Sequence, residues 1–73
     1  ENTLDNVELE KEAQVTNIEF HGNIKRRILD LGIIEGTKIK PVLRSPLGDP
    51  TAYEVRGTVI SLRKEEAEKI YIK

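Results

Sequence analysis

The sequence predicts a mainly β fold, a small barrel of five short strands with one short α-helix after the first strand and a helical turn before the last. Three observations carry that expectation. Short runs of alternating apolar and polar residues recur at 11–20, 37–44, 51–62 and 70–73. One stretch of helical period lies between the first two runs, and turn residues punctuate the rest. The chain has 73 residues, enough for a single domain over residues 1–73 and too few for a second core.

The first element is a capped turn, Thr3-Leu4-Asp5-Asn6-Val7. Thr3 is placed to accept from backbone amides two or three residues on, and Leu4 and Val7 are spaced to face inward together. From Lys11 to Phe20 the apolar positions Ala13, Val15, Ile18 and Phe20 fit one strand if a bulge sits near Thr16-Asn17. Gly22-Asn23 turns the chain into the helix around which the fold is organised. Within Asn23 to Gly32, residues Ile24, Ile28 and Leu31 share one side and Lys25, Arg26 and Asp30 point elsewhere. Asn23 is the expected N-cap. Gly32 suits the left-handed closing residue, which would pack Ile33 back onto Ile28.

After a turn at Glu35-Gly36, Thr37 to Arg44 alternates, with Ile39, Pro41 and Leu43 on one face and Lys38, Lys40 and Arg44 on the other. Pro41 cannot donate to a ladder, so an edge or bulge is expected there. Ser45-Pro46-Leu47-Gly48-Asp49-Pro50 is the long turn. Thr51, Tyr53 and Val55 then face one way, Gly57 marks a hairpin corner, and Val59, Ile60 and Leu62 resume the strand pattern. Arg63 to Glu68 are helix formers, too few for a free helix, and read as one turn before a last strand with Ile70 and Ile72 inward.

Composition narrows the function. There is no cysteine and a single histidine, His21, which removes disulfides, thiolate metal sites and thiol catalysis and fits a reducing, cytoplasmic setting. No glycine-rich phosphate loop or inferable carboxylate pair is present, so the chain is not read as an enzyme and no cofactor is expected. His21 beside Glu19 is two ligands at most, too few to hold a divalent ion, so no metal site is assigned. No apolar run is long enough to span a membrane. The net charge of -1 is unevenly placed: residues 1–24 carry one base against six acids, residues 25–44 six bases against two acids, and the remainder balances.

Asp30 near a helix C-terminus is disfavoured by the helix dipole, and Arg26 one turn earlier is its expected ion-pair partner. Arg26 and Arg27, with Lys25, either meet a phosphate or an acidic partner surface or form a solvated helix face, and Lys38, Lys40 and Arg44 would extend such a patch. Leu47 on its rigid loop is either a contact tip or folds back on the barrel. Tyr53 and Tyr71 are recognition aromatics or core and rim fillers, and with one Phe and no Trp they are too few for a base-stacking platform. No nucleic-acid partner is therefore expected, although a weak nucleic-acid-binding barrel is the alternative that the basic middle segment keeps open.

Several of these stretches together resemble the FeoA family, small cytoplasmic accessory proteins of bacterial ferrous iron transport. The resembling residues are Arg26-Arg27-Ile28-Leu29-Asp30-Leu31-Gly32-Ile33, Glu35-Gly36-Thr37, Pro46-Leu47-Gly48-Asp49-Pro50, and Arg56-Gly57 leading to Ser61-Leu62-Arg63. Thr3-Leu4-Asp5 and Glu65-Glu66-Ala67 extend the likeness to nearly the whole chain. The resemblance implies an SH3-like barrel and a role beside the membrane permease FeoB, by binding its cytoplasmic part, so that the chain meets the membrane only through its partner. It does not imply iron binding. The same fold is implied as the C-terminal interaction module of DtxR-type metal-dependent repressors, but no DNA-binding helix pair precedes it here. Ala52 and Tyr53 stand where such chains often carry aliphatics. The candidate partner-binding residues are Arg26, Arg27, Leu47, Gly48, Asp49 and Tyr53, and self-association stays open.

Overall fold

Alternation and its interruptions explain the architecture almost residue by residue. A computed structural model describes residues 2–19 and 22–73; the sequence expectations for Phe20 and His21 lie outside the described residues. A 3₁₀ turn at Leu4–Asn6 leads to strand β1 (Ala13–Ile18), helix α1 (Gly22–Asp30), and strands β2 (Lys38–Arg44), β3 (Thr51–Val55) and β4 (Thr58–Leu62). A four-residue helix α2 (Lys64–Ala67) precedes strand β5 (Ile70–Ile72). The five strands form one antiparallel sheet in the order β4-β3-β2-β1-β5. β4 and β5 are its two ends, and among the described residues no ladder joins them.

Bulges decide where the sheet bends. β1 pairs with β2 through Ala13 and Gln14 and with β5 through Val15, Asn17 and Ile18, with a register shift between Val15 and Asn17. That shift falls at the predicted slip, and the Ile18 amide there donates to the Asn17 side-chain oxygen at 2.9 Å. A second register shift lies between Pro41 and Leu43. Pro41 is opposite Tyr53, and its carbonyl turns away to accept from the Glu10 amide at 2.7 Å, so its missing N–H removes nothing from the β2–β3 ladder.

The same bulge corrects two sequence expectations. Ile39 and Pro41 are buried, but Leu43 is 66% exposed, because one inserted residue reverses the side-chain phase beyond it. Arg44 consequently pairs with the inward-facing Thr51 and leaves the face that carries Lys38 and Lys40. The three bases do not form one row.

α1 ends as predicted and begins differently. Gly32, at φ +87°, donates to the Leu29 carbonyl at 2.9 Å and Ile33 donates to the Ile28 carbonyl at 3.2 Å, the paired bonds of a Schellman ending. Ile28 and Ile33 are both fully buried against each other's turn. At the other end the helix already starts at Gly22, so Asn23 lies inside the first turn and is not the residue that precedes it. Ile24 is 48% exposed, so only the C-terminal half of α1 sits on the sheet. The expected Arg26–Asp30 pair is also absent among the described residues, where the ion pair of this helix is made by Arg27.

Inside the sheet the core gathers Leu4, Val15, Ile39, Tyr53, Val55 and Ile70 beneath Ile28 and Ile33. Each such aliphatic contributes about 1.5–3 kcal/mol through burial. Thr3 does not cap the opening turn through its side chain: its hydroxyl donates to the Asp5 carboxylate instead and accepts from the Asn6 amide side chain at 3.2 Å. The carboxylate is simply the stronger acceptor within reach.

Candidate functional site

Four of the six candidate residues converge on one side of the molecule, and the short helix α2 is what connects them. Four residues cannot hold a helix by themselves, and two carboxylates satisfy its opening amides. Asp49, from the β2–β3 loop, accepts the Lys64 N–H at 2.7 Å, and Glu66 accepts the Arg63 N–H at 2.9 Å. The Glu66 carboxylate also pairs with Arg27 of α1, and the second Asp49 oxygen lies 3.9 Å from the Arg63 guanidinium. α1, α2 and the β2–β3 loop are thereby laced into one surface.

Asp49 and Arg27 are thus largely engaged within the chain, the first as a helix cap and the second in an ion pair. Arg27 stays half exposed, however, while Glu66 is mostly covered. Gly48, at φ +88°, takes a backbone conformation that side chains resist and lets its amide close the loop onto the Ser45 carbonyl at 2.8 Å. That closure leaves Leu47 at the loop tip, 95% exposed. Of the two readings open for Leu47, folding back on the sheet is ruled out. Arg26 is exposed and forms no ion pair among the described residues.

Tyr53 is a different case. It is 1% exposed, a core residue whose polar end borders a cavity of about 160 Å³ shared with Asp5, Arg44, Gly48, Thr51 and Lys64. Arg44 donates there to the Thr51 hydroxyl at 3.3 Å and to the Val7 carbonyl at 3.4 Å. Burial is the main influence on the Tyr53 hydroxyl and raises its pKa above the usual 10.0, against the opposing pull of Arg44 and the Thr51 hydrogen bond. A pKa raised by folding means that the native state holds the proton more tightly than the unfolded chain. That contribution is complete below pH 10 and is lost as pH rises through the folded value. The urea midpoint is therefore expected to fall more steeply above pH 10 in the parent chain than in Tyr53→Phe, and parallel alkaline curves would contradict the assignment.

The basic middle of the sequence is partly neutralised in space. Lys40 lies 3.5 Å from Glu54 and 3.8 Å from Glu10, drawing in an acid from the negatively charged N-terminal segment. Sequence reasoning also missed Arg63 and Glu66, which with Arg27, Pro50 and Ser61 line a groove of about 320 Å³. Their three-residue spacing, the spacing by which a carboxylate reaches back to a helix's first free amide, was the available signal. Among the described residues no group of three acidic or histidine side chains is arranged to hold a metal ion.

Comparison with known proteins settles the relationship. A model of the FeoA domain matches residues 2–73. The chain belongs to the FeoA family. It is 36% identical over 61 residues to the Fe(2+) transport protein A/Fe(2+) transporter FeoB fusion protein of Porphyromonas gingivalis, a match that covers 84% of this chain and 7% of that protein. The solution structure of iron(II) transport protein A from Clostridium thermocellum has a TM-score of 0.95 at 28% identity, covering 99% of this chain and 44% of that one. The FeoA of Stenotrophomonas maltophilia, solved in complex with zinc and described as a procaryotic SH3 domain protein, has a TM-score of 0.85 at 30% identity, covering 100% and 91%. The SH3-like fold predicted for a FeoA protein is therefore the fold observed, while the chain spans less than half the length of the Clostridium chain and a small fraction of the fusion protein.

Proposed function

We propose that this FeoA-family chain is a non-enzymatic accessory of bacterial ferrous iron uptake that binds the cytoplasmic part of a FeoB-type permease and modulates it. The observation that carries the proposal is the Porphyromonas gingivalis relative, in which a FeoA protein and FeoB are one polypeptide. Such a linkage holds the small domain beside the transporter at high effective concentration, which is useful to a domain that acts by contact. Among the described residues no helix is long and apolar enough to cross a membrane, so the chain reaches the membrane through its partner.

The contact surface is the one that α2 laces together. The half-exposed Arg27 supplies positive charge, with the exposed Arg26 next to it on α1, Leu47 supplies an apolar tip on a closed loop, and Asp49 and Gly48 hold that loop in place. Interfaces bury an apolar centre within a polar rim, and Leu47 beside these charges offers that arrangement. A phosphate-binding reading has weaker support, because Lys40 is met by two carboxylates and the Arg44 guanidinium is engaged by the Thr51 hydroxyl and the Val7 carbonyl.

The test is an amide-shift titration of the isotopically labelled chain with the isolated cytoplasmic domain of the permease. Shifts are expected at Arg26, Arg27 and residues 46–50. No shift at millimolar domain removes the proposal, and shifts confined to the opposite side of the sheet would relocate the contact surface.

A further inference from the structure

β4 is an end strand, and among the described residues no further strand pairs with its outer edge. Arg56 and Gly57 both have positive φ, 53° and 80°, and join β3 to β4 in a two-residue turn closed by the pair Val55–Thr58. Antiparallel pairs alternate between bonded and non-bonded, so the bonded pairs are Val55–Thr58, Tyr53–Ile60 and Thr51–Leu62. The main-chain groups of Val59 and Ser61 must then point away from β3, and no backbone partner meets them among the described residues. Proteins blunt such edges with charge, proline or a bulge. Thr58-Val59-Ile60-Ser61-Leu62 has none of these, and Val59 is 60% exposed.

We infer that the β4 edge is a docking site for an extended peptide segment that adds a sixth strand, with an uncharged β-prone centre and acidic residues at its ends. Strand addition supplies affinity through the four free N–H and C=O groups of Val59 and Ser61, and side chains supply the selection. The charge around the edge specifies that selection. Arg56 flanks one end of β4, and Arg63 and Lys64 flank the other. Arg63 is 66% exposed and only loosely paired with Asp49, at 3.9 Å, and together with Arg27 it borders the groove that Ser61 opens into. Glu66 in that groove is already occupied by Arg27 and by the Arg63 amide. A second copy of this chain is a poor occupant: antiparallel β4–β4 pairing of Val59 with Ser61 would bring Arg56 of one chain opposite Lys64 of the other at both ends, like charges facing each other. The inference goes beyond the permease reading, since it concerns how a strand is bound and holds or fails whichever protein supplies that strand.

The experiment is a titration of the labelled chain with a blocked Asp-Thr-Val-Thr-Val-Thr-Asp peptide and with the same peptide carrying Lys at both ends. The acidic peptide is expected to shift Val59 and Ser61 and to slow exchange of their amide hydrogens, and the Lys-ended peptide to bind more weakly. Val59→Pro deletes an N–H that the native ladder does not use, so it should fold and lose the binding. Arg63→Glu leaves the ladder untouched, should weaken binding roughly five-fold, and keeps the test decisive if the proline variant fails to fold. Absence of binding, shifts unaffected by Val59→Pro, or equal binding of the two peptides would each overturn the inference. Concentration-dependent shifts at Val59 and Ser61 without peptide would overturn it in favour of self-pairing.

Discussion

Ile28→Ala is expected to lower the stability of this domain by about 2–5 kcal/mol, a large share of what a chain of this size has. Ile28 is fully buried, it contacts the core from the half of α1 that rests on the sheet, and its carbonyl receives the Ile33 amide that closes the helix. Truncation therefore removes apolar area, opens a cavity and undercuts the packing of Ile33 in one change. A chain of 73 residues has roughly 4–11 kcal/mol of net stability to lose. Ile24→Ala is the matched control, because the same residue type on the same helix is 48% exposed and should cost no more than about 0.5 kcal/mol. Urea midpoints by far-ultraviolet circular dichroism measure both, and equal losses would mean that α1 is not seated by its C-terminal half.

Leu47→Asp is expected to leave stability unchanged and to weaken binding to the permease's cytoplasmic domain by about 2 kcal/mol, roughly thirty-fold. Almost the entire Leu47 side chain is in solvent in the free chain, so folding gains nothing from it, whereas an interface that covers it would gain its burial and would have to desolvate the aspartate instead. The loop beneath is fixed independently, by the Gly48–Ser45 backbone bond and by Asp49 at the start of α2. Calorimetric titration of the two chains with the permease domain measures the difference. An unaltered affinity would show that the loop tip lies outside the interface.

The sites where α1 ends and where β1 bends were legible because each is written in neighbouring residues. Gly32 with Ile33 and Ile28 states a Schellman ending, and the break in alternation at Thr16-Asn17 states a bulge. Leu43 and Arg44 were misplaced for a reason of the same kind. The period-two reading was carried straight through Pro41, and the single residue inserted after it exchanged the two faces. The candidate surface was legible only in its exposed members. Arg27 and Asp49 are 22 residues apart in the chain, and nothing local to either says that α2 will lie between them and take both.

The sequence by itself determined the number of strands and their places along the chain, the ending of the helix and the absence of thiol chemistry, since period, turn residues and composition act over a few positions. Only the tertiary structure decided which charges remain available, that Tyr53 is core and Leu47 is not, and that β4 ends the sheet with no further strand on its outer edge among the described residues. Those outcomes depend on which distant segment becomes a neighbour, through ion pairs such as Lys40–Glu10 and Arg27–Glu66, and a charge is spent or free according to what folding brings within about 4 Å of it.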